Sequence, residues 1–349
     1  MKLLVSALEP SANLHLESLL KKVDNIEIDG IFDKRFGKAK YYSDKFSVMG
    51  IMDVIPKIFQ AKKAIKELAV LSLECDKVLL IDAPAFNLPL AKAIKKINPT
   101  IEIIYYILPK AWVWKKGRIK VVEKFCDIQA SIFPFENKFY KNSLFVGNPL
   151  IEQIKEYKKG VTQNGIVAFL AGSRKSEIKA LMPVFRGVAK SIKEKKLLIV
   201  PKNFSGREIE EIYGDISEFE ISFDTHTALL NSDFAFVCSG TASLEAALIG
   251  TPFLLVYIAK KIDYFIAKSF IDLKFVGLAN IILDFENLKP LHRELLQNEV
   301  NRENLLKEYK ELDREKFFES SKELRELLSI NKKEELFKLI SSKTLRLVN

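Results

Sequence analysis

Short apolar runs alternate with amphipathic stretches along most of this chain. Almost wholly apolar runs of this length predict buried strands of a parallel sheet. The runs lie at 3–7, 77–82, 101–107, 166–171, 197–200, 234–238 and 252–257, and the mixed segment 220–223 is also expected to form a strand. Most are followed by turn residues and by apolar positions at helical spacing, which mark the start of a helix. The pattern therefore predicts an α/β fold with parallel sheets.

The strand–helix alternation occurs twice. Gly147-Asn148-Pro149 ends the first half, and the polar segment 152–164 predicts a linker before the second half restarts near Ile166. Beyond 277–280 the sequence becomes charged and predicts helices. The length of 349 residues suits two domains of common size, each with its own core.

Composition and charge narrow the class of protein. Hydrophobic residues make up 48% and charged residues 29%, which excludes a mainly disordered chain, and no apolar stretch reaches the ~20 residues that span a bilayer. The net charge of +10 indicates an anionic partner: nucleic acid, a phospholipid surface or a phosphorylated substrate. Cys75, Cys126 and Cys238 are far apart, so we expect reduced thiols in the cytosol. Because the chain contains only three histidines, we do not expect a histidine-rich metal site.

The stretch 233–252 is a buried strand, a turn of small residues and a helix. The turn is Ser239-Gly240-Thr241, and Gly250 with Pro252 ends the helix. Free backbone N–H groups at such a helix start attract an anion, and the expected anion is a diphosphate. Glu245, one turn further on, is placed to bond a sugar hydroxyl. An ordinary strand–helix joint remains the alternative.

A similar joint opens the second half at Gly172-Ser173-Arg174, with a helix from Glu177 onward. Arginine stays ionised and donates in a fork, so Arg174 suits charge that develops on a leaving phosphate. Pairing with Glu177 is the structural alternative.

The first half places polar residues at two strand ends. Asp82 ends a buried strand ahead of Pro84, which makes it the preferred general-base candidate, with a helix cap as the alternative. Glu9 follows the first strand, where α/β sheets bind ligands, and Ser11 or Asn13 could cap the next helix.

Two further segments carry surface chemistry. The apolar stripe Ile51, Val54, Ile55, Ile58 and Phe59 has lysines on its flank, which predicts either a core-facing helix or one that contacts acyl chains or a membrane. Trp112 and Trp114 are interleaved with basic residues, a pattern that suits nucleic acid, a bilayer interface or a sugar platform.

Ten segments in order between Leu3 and about Gln297 resemble lipid-A-disaccharide synthases, the family 19 glycosyltransferases. The segments are LEPSANLH, SVMGIMDV, IDAPAFN, LPKAWVW, FPFE, GNPL, GSR with Glu177, SGTASLE, GLANI and ELLQ. The chain departs from the family motifs at Leu8, Ala12, Asn13, Ala85, Leu108, Lys110 and Asn148. Because Asn13 and Ala85 stand where the family has aspartates, neither is a candidate base.

The resemblance implies a GT-B architecture with two Rossmann-like domains facing a central cleft. The expected divisions are an acceptor and membrane-side domain at 1–155, a UDP-sugar domain at 156–320, and C-terminal helices at 321–349 that pack back on the first domain. A homodimer is also expected, and in the family these helices can exchange between subunits.

The implied reaction joins UDP-2,3-diacylglucosamine to 2,3-diacylglucosamine 1-phosphate with inversion, giving the β-1,6 disaccharide 1-phosphate and UDP. Catalysis would involve Asp82, Arg174 and Glu9. The donor would contact Ser173, Arg174, Ser239, Gly240, Thr241, Ser243, Glu245, Asn280, Glu294 and Gln297, and the acceptor Ser11, Asn13, Asn87 and Trp112. Since the chain has no Asp-x-Asp pair, no metal or other cofactor is expected.

The expected location is the cytoplasm, at the inner face of the cytoplasmic membrane, with no nucleic-acid partner. Two alternative functions remain open. One is another GT-B UDP-sugar transferase with a lipid-linked acceptor, and the other is a non-catalytic basic protein that binds membrane or RNA.

Overall fold

The chain forms two compact units. The computed structural model describes residues 1–46, 54–202, 204, 206–259, 273–329 and 333–342. The first unit comprises Met1–Pro149 and Ile330–Asn349, and the second comprises Leu150–Ser329. The expected divisions lay after residues 155 and 320. Residues 150–155, expected in the first domain, and residues 321–329, expected among the helices that pack on it, belong to the second unit.

A parallel sheet in the order β3-β2-β1-β4-β5-β6-β7 forms the centre of the first unit. Its strands are β1 Lys2–Ser6, β2 Glu27–Phe32, β3 Tyr41–Tyr42, β4 Lys77–Ile81, β5 Glu102–Tyr106, β6 Ile128–Ser131 and β7 Ser143–Phe145. The helices assigned to it are Pro10–Leu20, Val54–Leu71, Pro84–Ile97, Gly117–Phe125 and, near the chain end, Lys333–Ser341.

The apolar strands of this sheet are buried on both faces, because successive side chains point to opposite sides. Leu4, Val78 and Leu80 belong to one core cluster. Their neighbours along the same strands, including Leu3 and Leu79, belong to the other. The second cluster also contains Leu336 and Ile340, so the helix Lys333–Ser341 completes the core of the first unit.

The second unit repeats the architecture with the order β10-β9-β8-β11-β12-β13, again parallel. Its strands are β8 Ile166–Leu170, β9 Lys195–Ile199, β10 Glu220–Ser222, β11 Phe234–Cys238, β12 Phe253–Tyr257 and β13 Glu294–Leu296. Its helices are Pro149–Gln153, which spans the division, Lys175–Ala189, Gly206–Tyr213, Thr225–Asn231, Thr241–Ile249, Leu278–Phe285, Arg302–Glu311 and Arg314–Ser329.

Hydrogen bonds explain why the helix Arg314–Ser329 stays with the second unit. Ser321 donates to the carbonyl of Ala247 at 2.5 Å, and Arg325 donates to that of Leu248 at 2.7 Å. Both contacts bind it to the helix Thr241–Ile249. The return to the first unit therefore begins at residue 330.

Three local features differ from the sequence-based expectation. The segment 152–164 is docked on the second unit instead of forming a free polar linker: Ile154 and Lys158 are buried, and the Lys158 N–H donates to the carbonyl of Ile249 at 2.9 Å. Strands β2, β3, β6 and β7 are too short or too mixed to be read from the pattern. Likewise, β13 lies where only helices were expected. Among the described helices, none is long and apolar enough to cross a bilayer.

Candidate active site

Polar side chains gather at one position in each sheet. In the first sheet β1 and β4 are neighbours, and in the second β8 and β11 are neighbours. Strand order reverses at these pairs, and open α/β sheets bind ligands beyond the carboxyl ends of such strands. Glu9 and Asp82 follow β1 and β4, and the two small-residue turns follow β8 and β11. Each unit therefore places its candidate residues at its own switch point.

The backbone at the end of β4 is strained. Asp82 and Ala83 have φ of 48° and 44°, in the left-handed region that residues other than glycine seldom adopt. The Tyr105 hydroxyl and the Asn87 amide both donate to the Asp82 carbonyl, at 2.6 and 2.7 Å, and hold this conformation. Ala83 occupies the N-cap position of the helix Pro84–Ile97, so the expected capping alternative for Asp82 is wrong. Strain that the surroundings maintain is typical of functional sites.

The surroundings of Asp82 suit a general base. Burial raises the pKa of its carboxyl, while a hydrogen bond from the Ala83 N–H and the charge of Lys110 lower it; the net shift is upward. Burial also raises the pKa of Glu9, and the nearby Asp82 charge adds to that shift. A carboxylate with a raised pKa accepts a proton more readily at neutral pH.

A pocket of about 480 Å³ opens beside Asp82. Its walls are Asp82, Pro84, Ile107, Leu108, Pro109, Lys110, Val113, Trp114, Lys115 and Arg118. Ile107 and Lys115 also have positive φ, of 65° and 57°. The loop after β5 thus supplies the apolar and cationic walls, and Asp82 supplies the carboxylate.

Glu136, in the short 3-10 helix Pro134–Lys138, braces this loop. Its Oε1 accepts from the Trp112 indole at 3.2 Å, and its Oε2 accepts from the N–H groups of Ile132 and Phe133, both at 3.3 Å. The Tyr140 hydroxyl adds a bond of 2.6 Å to the carbonyl of Pro109. Burial raises the pKa of Glu136 to about 8. The FPFE segment is part of the family resemblance, but its glutamate was not among the expected site residues.

The four expected acceptor contacts occupy different positions. Ser11 is exposed, and the helix begins at Pro10, so the predicted capping by Ser11 or Asn13 is wrong. Asn13 is buried, donating to the carbonyls of Ala7 and Glu9 and accepting from the N–H of Asp33. Asn87 is buried behind Asp82, where it accepts from the Ser6 hydroxyl at 2.6 Å.

Trp112 is also buried, whereas Trp114 has 60% of its surface exposed. The two asparagines and Trp112 therefore shape the site from within, and direct contact with an acceptor stays a prediction for them.

The two turns of the second unit meet in one pocket of about 310 Å³. Gly172, Ser173, Arg174 and Glu177 line one side and Ser239, Gly240, Thr241 and Ala242 the other, with Leu170, Ile199, Pro201, Thr225 and Cys238 completing it. Gly172 has φ of 97°, and a Cβ there would lie 2.7 Å from Oε2 of Glu177, so the turn requires glycine. The start of the helix Thr241–Ile249 thus lines a cavity, as an anion site requires.

Arg174 and Glu177 form an ion pair beside this pocket. Nη1 of Arg174 lies 2.7 Å from Oε1 of Glu177, although 76% of the arginine side chain is exposed. Glu177 is buried and fixes the direction of the guanidinium, so the pairing expected as the alternative is confirmed. A role of Arg174 at a leaving phosphate stays a prediction. Ser243 is buried and donates to the Gly240 carbonyl at 2.7 Å. Burial and the nearby Asp224 raise the pKa of Glu245.

The last three expected donor contacts hold backbone segments. Asn280 is buried, donates to Oε1 of Glu294 at 2.8 Å and accepts from the N–H of Leu291 at 2.8 Å. Glu294 also accepts from the N–H groups of Val276 and Gly277, at 2.7 and 3.1 Å. With its amide oriented to satisfy both groups, Gln297 bonds the N–H and carbonyl of Ala259. Asn280, Glu294 and Gln297 therefore hold the backbone near residues 259 and 276 in place. Their direct contact with the donor stays a prediction.

The expected apolar stripe is described only in part. Ile51 lies outside the described residues, and the side chains of Val54 and Ile55 are likewise outside them, although both begin the helix Val54–Leu71. Ile58 is 47% and Phe59 68% exposed, while Ala64 and Leu68 of the same helix are buried. Within the described ranges, no group of three or more His, Cys, Asp or Glu is arranged to hold a metal ion.

Solved structures share this two-unit architecture at low sequence identity. MurG from Acinetobacter baumannii is 13% identical with a TM-score of 0.57, and covers 97% of this chain and 98% of its own. CalG4, the calicheamicin glycosyltransferase, is 12% identical with a TM-score of 0.59, and covers 100% and 99%. The fold is therefore GT-B, the architecture of a large class of glycosyltransferases.

Sequence comparison identifies the family within this class. The lipid-A-disaccharide synthetase family model matches residues 3–343. A lipid-A-disaccharide synthase of Campylobacter jejuni is 49% identical over 97% of this chain and 98% of its own length. One of Helicobacter pylori is 46% identical over 94% of each. The chain belongs to the lipid-A-disaccharide synthase family, whose members are hexosyltransferases of lipid A biosynthesis.

Proposed function

We propose that this chain joins UDP-2,3-diacylglucosamine to 2,3-diacylglucosamine 1-phosphate, releasing UDP and the β-1,6 disaccharide 1-phosphate. The proposal rests on the surroundings of Asp82. Its carboxyl has a raised pKa, its backbone is held in the left-handed region, and it lines a pocket with cationic walls. Asp82 accepts the proton of the acceptor 6-hydroxyl as that oxygen attacks the anomeric carbon of the donor. The bond from that carbon to the diphosphate breaks, and the configuration inverts.

The second unit holds the departing diphosphate. The pocket at the start of the helix Thr241–Ile249 offers backbone N–H groups, and the Arg174 guanidinium adds a fixed positive charge. These groups neutralise a diphosphate without a divalent ion. Activity should therefore persist in excess chelator, and complete loss that added Mg²⁺ restores would contradict this part.

Both substrates carry acyl chains, so the enzyme works at the inner face of the cytoplasmic membrane. The exposed Ile58 and Phe59, with Lys62 and Lys63 nearby, form an apolar and basic surface of the kind that binds anionic bilayers. Phe59→Ser should weaken binding to vesicles of anionic phospholipid. Val70→Ser, at another exposed position of the same helix, is the matched control, and equal loss in both variants would remove the assignment.

The chain also forms a homodimer in this proposal. The last helix packs in the core of the first unit through Leu336 and Ile340. This helix is separated from the rest of its unit in sequence by the whole second unit, and such an element can take the same place in a second copy. Light scattering that shows only monomer across a range of concentrations would overturn it.

The decisive experiment measures UDP release by the purified chain with both sugar substrates present. Release that depends on the acceptor supports the proposed reaction. UDP binding by calorimetry without release would favour another UDP-sugar transferase with a different acceptor. Absence of UDP binding would favour a non-catalytic membrane-binding or RNA-binding protein.

A further inference from the structure

The pocket beside Asp82 contains more positive charge than its protein partners neutralise. Lys110, Lys115 and Arg118 line it together with a single carboxylate, that of Asp82. Elsewhere in the first unit, Lys77 and Lys95 lie within 2.6 and 2.8 Å of carboxylate oxygens. In the part of the chain that the structure describes, the three cations of the pocket form no such ion pair. An excess of unpaired cations around one cavity favours an anionic guest.

These cations sit on a braced segment. The Lys115 ammonium lies 5.1 Å from the Trp114 ring centroid, and the Lys110 ammonium lies 5.9 Å from that of Phe133. The bonds from Tyr140 to Pro109 and from Trp112 to Glu136 hold the loop between them. A cationic site on a fixed loop loses less side-chain entropy when an anion binds.

Resting on the proposed function, we propose that Lys110, Lys115 and Arg118 bind the phosphate monoester of the acceptor sugar. The phosphate would occupy the cationic wall while Asp82 faces the attacking hydroxyl. A phosphate monoester carries close to two negative charges at neutral pH, which three cations match well. The arrangement also predicts selectivity for a phosphorylated acceptor, because an acceptor without phosphate would leave the cations unpaired.

Tryptophan fluorescence tests the phosphate subsite without any turnover. The chain has two tryptophans, Trp112 and Trp114, and both belong to this loop. Titration with glucosamine 1-phosphate should change the emission, while glucosamine alone should change it far less at the same concentration. Equal responses to the two sugars, or none to either, would overturn the subsite. Inorganic phosphate should compete with glucosamine 1-phosphate for the same change.

A kinetic experiment then compares 2,3-diacylglucosamine 1-phosphate with its dephosphorylated form in neutral detergent micelles. Lys115→Gln and Arg118→Gln should each reduce the preference for the phosphorylated acceptor by about tenfold in kcat/KM. Lys116→Gln removes the same charge one residue away, outside the pocket lining, and should retain the preference. Loss of preference in all three variants would assign the effect to general charge and refute the subsite.

The two experiments separate this inference from the reaction itself. A wild-type chain that releases no UDP with either acceptor contradicts the proposed function, while the fluorescence titration still tests the phosphate subsite. A wild-type chain that turns over both acceptors equally supports glycosyl transfer and overturns the subsite.

Discussion

Replacing Glu136 by glutamine should change how the stability of the first unit depends on pH. This carboxyl is wholly buried, and burial raises its pKa from 4.5 to about 8. The folded chain therefore keeps the proton over a range in which the unfolded chain releases it. The stability that Glu136 contributes is fully present below about pH 4.5 and is lost as the pH rises toward 8.

The size of this effect follows from the pKa shift. One pKa unit corresponds to 1.36 kcal/mol, so the shift is equivalent to about 5 kcal/mol, most of it lost between pH 5 and pH 8. Glutamine has no proton to lose and keeps an acceptor for the Trp112 indole. Its NH₂ group stands in place of Oε2, the oxygen that accepts from the N–H groups of Ile132 and Phe133. The loss of this acceptor costs about 1–3 kcal/mol at every pH. The advantage of wild type over Glu136→Gln should therefore shrink by about 4 kcal/mol from pH 5 to pH 8.

Urea unfolding followed by tryptophan fluorescence measures this difference, because both tryptophans lie in the first unit. Glu123→Gln, on the neighbouring helix Gly117–Phe125, is the control for a change from carboxylate to amide. Its difference from wild type should not follow the course of the Glu136 variant. A Glu136→Gln difference that stays constant within about 0.5 kcal/mol over this range would refute the reasoning, since that spread is ordinary for surface substitutions.

Three further substitutions test other parts of the structure. Asp82→Asn, which suits the left-handed backbone, should lower kcat for UDP release by about 10²–10⁴-fold while leaving the urea midpoint unchanged or higher; near-normal kcat would place the base elsewhere. Lys77→Met removes a buried ammonium that forms an ion pair with Glu102 and donates to the Leu339 carbonyl, both at 2.6 Å. It should lower the free energy of unfolding by about 3 kcal/mol and raise amide hydrogen exchange in 333–342; unchanged exchange would contradict this. Gly277→Ala places a Cβ 2.7 Å from the His292 ring and should cost about 1–3 kcal/mol; a wild-type melting temperature would show that the ring moves aside freely.

The general architecture could be predicted because fully buried parallel strands leave an unambiguous apolar pattern. KVLLI and FAFVC each stand alone as continuous runs, and both became central strands beside a switch point. Strands such as Ser143–Phe145 and Glu294–Leu296 are short, partly polar and near a sheet edge, so their pairing depends on neighbours far away in sequence. The division expected after residue 155 lies after residue 149, and the one expected after residue 320 lies after residue 329.

The parts of the candidate site that depend on local backbone geometry could be predicted from sequence motifs. Side-chain contacts between segments that are distant in sequence could not. The two small-residue turns lie together because strand order brings β8 beside β11. By contrast, the sequence does not show that the side-chain amides of Asn13 and Asn280 would form hydrogen bonds with buried backbone groups. Nor does it show that Glu136 would reach Trp112, since that contact depends on how two loops pack.

The place of Leu336 and Ile340 in the core of the first unit has a consequence for synthesis of the chain. They pack in the same cluster as Leu3 and Val5, so these two residues meet their partners only after the whole second unit, which lies between them in sequence, has been synthesised. The second unit is contiguous in sequence and can finish folding while one face of the first sheet is covered by the helix Pro10–Leu20 but still lacks the helix Lys333–Ser341. We therefore expect the nascent chain to expose an apolar surface while the second unit is being synthesised, and chaperones bind surfaces of this kind.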